Sequence, residues 1–339
     1  MNFQGQTEYK HKGPKPKKGI LLVNLGTPDA PEPRALRRYL KEFLSDHRVV
    51  EIPRFLWLMI LYLFILPFRP KSSAKLYASV WTKEGSPLLA ITKRQRSALQ
   101  QQLDADYGEA ELPVVIGMRY GNPSIRSALK SLVDKNVHDI TILPLYPQYC
   151  AATTGSTFDS IAKELQNYRW VPSIRFINGY HQTPEYINAI SQSITGYIQQ
   201  SGMPERFIFS YHGTPQRYLE QGDPYYCFCI QTTRLVVEAL GLDSEQIISS
   251  FQSRFGKAAW LQPYTDVALK SIAEEGVKRV AVICPGFSSD CLETIEEIEV
   301  ENRAYFIDAG GESYDYIPCL NDSQDHIDMM VQLIKKNSM

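Results

Sequence analysis

RVAVICPGFSSDCLETIEEIEVE, residues 279–301, decides how this chain is read. Val280, Ala281, Val282 and Ile283 form an almost unbroken apolar run, the mark of a parallel strand covered on both faces. Pro285-Gly286 ends the run, and Ser288-Ser289-Asp290 supplies helix-start chemistry. The expected helix carries Asp290, Glu293, Glu297 and Glu301 at i, i+3, i+7 and i+11, one stripe with successive members about 6 Å apart. Like charges at that spacing oppose helix formation. A row of them at the carboxyl end of a parallel strand, where open α/β sheets bind ligands, suggests a path for a cation. The spacing also has a plainer reading. Asp290-x-x-Glu293 approximates a capping box, and most charge runs are solvated helix faces.

The same strand-then-helix pattern recurs on both sides of this stretch. Apolar runs at residues 19–25, 113–118, 140–143, 173–177, 206–210 and 247–251 read as strands. Helical stretches are expected near residues 32–44, 91–103, 124–135, 156–166, 184–199, 226–239, 265–275 and 322–335. An internal echo overlies this alternation. Arg119-Tyr120-Gly121, Ala128-Leu-Lys-Ser-Leu132 and Ile142-Leu-Pro144 return as Arg254-Phe255-Gly256, Ala268-Leu-Lys-Ser-Ile272 and Ile283-Cys-Pro285, at offsets of 135 to 141 residues. The fold class is therefore α/β, with two similar Rossmann-like, doubly wound halves whose parallel sheets are expected to face each other across a cleft. The expected domains are residues 19–178 and 179–316, with a C-terminal helix over 322–336 completing the first; residues 1–18 read as a disordered tail.

Composition narrows the function. A chain of 339 residues with 44% hydrophobic and 22% charged content is long enough for two proper cores. Its net charge of −1 gives no reason to expect nucleic acid as a partner. Six scattered cysteines in so large a chain read as reduced, cytoplasmic thiols, and Cys227-x-Cys229 lacks the paired spacing of a zinc site. A single glycine pattern at Gly26-Thr27-Pro28 is not a dinucleotide fingerprint. The tail has no apolar stretch behind its lysines, unlike a secretory signal. FLWLMILYLFIL, residues 55–66, would span about 18 Å as a helix, short of the roughly 30 Å hydrocarbon core. It is expected to be a core helix or an exposed greasy lip over residues 55–68, with Trp57, Tyr62 and the flanking basic residues favouring the lip.

His212 ends a strand and is followed by Gly213, which lets the backbone approach a ligand closely. A lone histidine is commonly structural, but this one would share a sheet mouth with Glu293 if the second half folds as described. That pairs a group able to accept a proton or bind a metal with an acidic row. Phe209-Ser-Tyr-His212-Gly-Thr-Pro215 with Gly222-Asp-Pro224-Tyr225 resembles the ferrochelatase signature. Leu143-Pro-Leu-Tyr-Pro-Gln-Tyr149 with Thr153-Thr-Gly-Ser156, and Ser289-Asp-Cys-Leu-Glu-Thr294 with Glu296-Glu297, resemble it too. The resemblance spans about residues 19–333, nearly the whole chain.

The resemblance implies a chelatase-like fold and insertion of ferrous iron, as substrate, into protoporphyrin IX, the last step of haem synthesis. It implies His212 and Glu293 as the essential pair, touching metal or accepting protons, with Glu297 continuing a route for metal or protons. It implies Leu25, Tyr77, Ser86, Arg119, Tyr120, Trp260 and Phe287 at the porphyrin, and residues 55–68 as a lip with peripheral membrane contact. Two features set this chain apart from many relatives. Cys291 stands where histidine is common, a softer group that would bind Zn²⁺ or Co²⁺ readily if ionised. After Cys319 there is no cysteine, so no [2Fe–2S] cluster is expected, and the expected location is the cytoplasm or the inner face of the membrane. The competing readings are metallation of coproporphyrin III or a sirohydrochlorin, and a non-catalytic carrier of tetrapyrrole or metal.

Overall fold

Seven apolar runs and one further strand form two four-stranded parallel sheets with the same strand order, and this repetition fixes the architecture. The computed structural model describes Phe3, residues 16–256 and residues 258–338. In the first sheet the strands are β1 (Lys17–Thr27), β2 (Val114–Gly121), β3 (Val137–Pro144) and β4 (Ser173–Phe176), in the order β2-β1-β3-β4. In the second they are β5 (Arg206–His212), β6 (Ile247–Gln252), β7 (Arg279–Ile283) and β8 (Ser313–Ile317), in the order β6-β5-β7-β8. Every pairing is parallel. The chain divides into two compact units accordingly. One holds the described residues up to Leu145, Ala151–Gly179 and those from Met330 on; the other holds Tyr146–Cys150 and Tyr180–Met329.

Each unit is built by the logic its sequence carries. Central β1 has Ile20, Leu21, Leu22 and Val23 all buried, because helices cover both faces of a parallel sheet. Ile125–Asp134 begins where the Ser124 hydroxyl accepts from the Ser127 N–H, an N-cap that satisfies one orphan donor. Its buried residues Ile125, Ala128, Leu129, Leu132 and Val133 recur at helical spacing, and they pack on Leu21, Val23, Ile140 and Ile142. In the second unit Leu269, Ile272 and Ala273 of Thr265–Glu274 meet Ile208, Val280 and Val282 in the same way. A fully buried aliphatic side chain of this kind is worth about 1.5–3 kcal/mol. The internal echo thus lands on corresponding places: at or just past the end of the second strand of each sheet, along the helix that follows, and at the end of the third strand.

The structure corrects the sequence reading in four places. The tail expected over 1–18 falls mostly outside the described residues, and β1 already includes Lys17 and Lys18. The apolar segment does not end at Pro67. Helix Arg54–Ile60, a π-helical turn Leu61–Ile65 and helix Leu66–Val80 run together as 27 residues, about 40 Å, long and apolar enough by length and composition to cross a membrane. Pro70 cannot donate to the Leu66 carbonyl four residues back, and Arg37 Nη1 donates to that oxygen instead at 2.8 Å, so the helix continues. The helix expected from 156 is preceded by a π-helical turn, Ala151–Gly155, which leads directly into Ser156–Leu165. β8 is an eighth strand that periodicity did not reveal: Ser313-Tyr-Asp-Tyr-Ile317 is a short edge strand whose Asp315 accepts from Tyr197 at 2.7 Å.

Candidate active site

The acidic helix is not an α-helix. Glu293–Asn302 forms a ten-residue π-helix, an i→i+5 geometry that is rare and concentrated at functional sites. Its carbonyls explain the widening, since side chains from outside the i→i+4 ladder bond to them. Gln252 Nε2 donates to Glu293 O (3.1 Å), Asn302 Nδ2 to Glu297 O (2.7 Å), and Tyr314 Oη to Ile298 O (2.6 Å). Such insertions into the ladder deform a helix. Residues four apart fall just short of one such turn, so Glu293, Glu297 and Glu301 still follow one side.

Asp290 leaves the stripe. It is buried, and its carboxylate accepts from Thr294 Oγ1 (3.0 Å), Tyr316 Oη (2.6 Å) and Asn321 Nδ2 (2.6 Å). The Asp290–Thr294 bond stands in place of a capping box, and the bonds between Asp290 and Asn321 anchor the helix start to the loop after β8. A four-member acidic path is therefore corrected to three glutamates and a sealed anchor.

His212 closes β5, in register with Gln252 of β6. Its ring is exposed, and Nδ1 donates to the Gly213 carbonyl at 2.7 Å, since a carbonyl can only accept. That bond assigns the proton of the neutral ring to Nδ1 and leaves Nε2 with a lone pair. Gly213 is required by space: a Cβ there would lie 2.7 Å from the Gln252 carbonyl oxygen and 3.2 Å from the Trp260 ring. Phe287 stands 6.5 Å from the His212 ring, and Trp260 is fixed by its indole N–H to Phe255 O at 2.8 Å. His212, Trp260, Phe287, Glu293 and Glu297 are thus gathered around the carboxyl ends of β5, β6 and β7.

Glu297 is held most tightly. Ser253 donates to it twice, from its N–H to Oε1 at 2.6 Å and from its hydroxyl to Oε2. Burial pushes the Glu297 carboxyl above its ordinary range, while the Ser253 bonds and the nearby His212 ring pull it back down. Cys291 is buried, and burial followed by the charge of Glu293 pushes its thiol well above the ordinary range. It is a neutral thiol, so the soft thiolate ligand considered from the sequence does not form. Among the described residues no group of three or more His, Cys, Asp or Glu side chains is arranged to hold a metal ion.

In the first unit the expected porphyrin residues differ in exposure. Leu25 is half-buried at the end of β1 and joins the cluster of Tyr39, Leu40 and Trp57. Tyr77 is half-buried beside Tyr39, 6.4 Å between rings. Ser86 is buried, its hydroxyl accepting from Thr27 Oγ1 at 2.8 Å. Tyr120 belongs to the same cluster as Leu25, and with Arg119 it is also tied to a buried carboxylate. Tyr120 is fully buried with its hydroxyl donating to Asp46 at 2.8 Å, which leaves it no surface for a ligand. Arg119 pairs with the same Asp46 and donates to Ser156 O at 3.0 Å. Burial alone would raise the Asp46 carboxyl, but bonds from Ser156, the Arg48 N–H and Tyr120, with the Arg119 charge, hold it below its ordinary range. Asp46 was not found from sequence, and Ser156 only as a motif member, because nothing in the sequence links residues 110 apart.

A family model described as Ferrochelatase matches residues 17–338. The chain belongs to the ferrochelatase family. The Ferrochelatase of Shewanella denitrificans is 56% identical over 94% of this chain and 97% of the relative. That of Hydrogenovibrio crunogenus is 53% identical over 98% and 89%. The fold extends further: SirB from Bacillus subtilis with Fe³⁺ superposes with a TM-score of 0.55 at 13% identity, over 94% of this chain and 95% of that one. CbiX, described as the terminal enzyme for biosynthesis of sirohaem in denitrifying bacteria, does so at 0.51 and 13%, covering 94% and 98%. This ferrochelatase is accordingly a metal chelatase that inserts iron into porphyrin for haem synthesis, on the two-unit chelatase fold.

Proposed function

We propose that this ferrochelatase uses protoporphyrin IX, with His212 accepting pyrrole protons and Glu293 and Glu297 guiding the ferrous ion. The observation that carries the reading is the His212 ring, exposed at the end of β5 with Nδ1–H committed to Gly213 O and the Nε2 lone pair unspent. Inserting Fe²⁺ releases two pyrrole protons, and the single Nε2 lone pair of the exposed His212 takes them one at a time, passing the first to water before accepting the second. A neutral imidazole accepts without repelling the cation as much as an imidazolium would. The carboxylates of Glu293 and Glu297 supply oxygen ligands, which suit a ferrous ion in transit better than thiolates would.

Planar porphyrin hides its nitrogens, and distortion exposes their lone pairs. About 1–5 kcal/mol of such strain can come from binding energy remote from the metal. In the second unit, Trp260 and Phe287 offer aromatic surface beside His212 for this purpose. In the first, the half-buried Leu25 and Tyr77 offer a mixed apolar and hydroxyl surface, and Ser86 is buried against Thr27. Arg119 and Tyr120 contribute by keeping the first unit's interior ordered. Phe55, Leu63, Phe64 and Phe68 are 78%, 63%, 63% and 72% exposed, which supports a lip that touches a membrane from the cytoplasmic side.

Glu293→Gln tests the assignment. It keeps the side-chain volume and the backbone carbonyl that Gln252 holds, and removes only the negative charge. Turnover should be abolished with porphyrin affinity and melting temperature retained. Near-wild-type turnover would return Glu293 to a structural role.

A further inference from the structure

We propose that Ser253 is the positioning residue for Glu297, fixing its carboxylate for the ferrous ion. The inference rests on the proposed role of Glu297 and adds a residue that neither the motifs nor the acidic stripe contains. Ser253 follows the last residue of β6 and has a φ of 64°, one of four non-glycine residues with positive φ among those described. A serine there is strained, and strain of this kind persists where the surroundings over-determine it. The turn brings the N–H and the hydroxyl of one residue onto the two oxygens of one carboxylate.

The grip is doubled by the preceding residue. Gln252 Nε2 donates to the Glu293 carbonyl at 3.1 Å, and its Oε1 accepts from Ser210 Oγ at 2.8 Å. Two consecutive residues at the rim of the sheet therefore hold two glutamates one π-turn apart, by the backbone of one and the side chain of the other. An ionised carboxylate has about four acceptor positions, so two donors leave room for a further ligand while stopping the group from swinging. Both donors are neutral and one is main chain, so neither brings a positive charge that would compete with the cation. A carboxylate in a fixed plane is one that can take a cation and pass it on.

The test uses Ser253→Gly, Ser253→Ala, Glu297→Gln and the double variant Ser253→Gly/Glu297→Gln in the full chain. Anaerobic metallation is measured with Fe²⁺ and porphyrin varied separately, alongside porphyrin affinity by fluorescence and the melting temperature. Both Ser253 variants keep the N–H and lose the hydroxyl, but only alanine keeps a Cβ in the left-handed conformation. Both should lower kcat/KM for Fe²⁺ by about ten-fold, the low end for a hydrogen bond to a charged group. Porphyrin affinity should not change, and the alanine variant should melt below the glycine one. In the Glu297→Gln background, Ser253→Gly should cost less than two-fold more, because its target is gone. Wild-type iron kinetics in Ser253→Gly, or a loss that multiplies with that of Glu297→Gln, overturns the proposal. If Glu297→Gln alone leaves iron kinetics unchanged, the role of Glu297 fails and this proposal with it. A defect in Glu297→Gln with none in Ser253→Gly refutes only the proposal.

Discussion

Gly213→Ala tests the geometry that leaves His212 with its free nitrogen. A methyl group at Gly213 would sit 2.7 Å from the Gln252 carbonyl oxygen, which is backbone and cannot rotate away, and 3.2 Å from Trp260. Ordinary contact needs several tenths of an ångström more, so either β5 parts from β6 or the 213 peptide turns. Parting breaks the Gly213 N–H bond to Gln252 O, 2.8 Å in the wild type, and turning moves the carbonyl that orients Nδ1 of His212. Overpacking of this kind costs about 1–3 kcal/mol. At roughly 2–4 °C per kcal/mol for a domain of this size, melting should fall by about 2–12 °C. Turnover should fall further than stability explains, by about 10- to 100-fold, because a base displaced by about 1 Å is a poor base. Gly286→Ala is the control, since its Cβ would meet Tyr211, Gln148 and Tyr225 no closer than 3.5 Å. Scanning calorimetry and steady-state metallation at a temperature where both variants are folded make the comparison. Wild-type melting and wild-type turnover in Gly213→Ala would refute the close approach and the tautomer assignment built on it.

Other consequences follow from buried groups and exposed ones. Asp46→Ala removes the shared acceptor of Arg119, Tyr120 and Ser156 and should destabilise the protein by about 3–5 kcal/mol in chemical unfolding, the cost of stranding a largely buried cation. His326 is fully buried, which lowers its pKa from 6.5 to about 4 against the opposing pull of Asn321 O and Asp322. The unfolded chain therefore takes up this proton first, and stability present above pH 6.5 is lost as pH falls toward 4, by about 3 kcal/mol. His326→Gln should flatten that part of the stability–pH curve. Leu63→Ser and Phe64→Ser, at exposed positions, should change the melting temperature by less than about 2 °C while raising KM for porphyrin; Leu61→Ser, fully buried, should reverse that order.

The strands were legible because buried parallel strands need unbroken apolar runs, and Val280–Ile283 or Ile20–Val23 can be little else. β8 escaped because an edge strand tolerates Asp315, whose partners Tyr197 and Arg279 lie far away in sequence. The acidic helix was found but its winding was not, since glutamates four apart suit both α and π geometry, and the choice is made by Gln252, Asn302 and Tyr314. Asp290 fitted the stripe by spacing and left it through contacts with Tyr316 and Asn321. Length misled at residues 55–66, where the apolar run is short but the helix continues past Pro70 because Arg37 supplies the missing donor. His212 and Glu293 were legible from their motifs, whereas Ser253 was not: neither its backbone angle nor its partner leaves a trace in the sequence.

The most direct test of the central claim is anaerobic metallation followed in the Soret band, for wild type and His212→Ala, with protoporphyrin IX and coproporphyrin III offered in parallel. The account predicts Fe²⁺ insertion into protoporphyrin IX by the wild type, and its loss in His212→Ala with porphyrin still bound. Full turnover in His212→Ala, or a wild type that metallates coproporphyrin III alone, would contradict it.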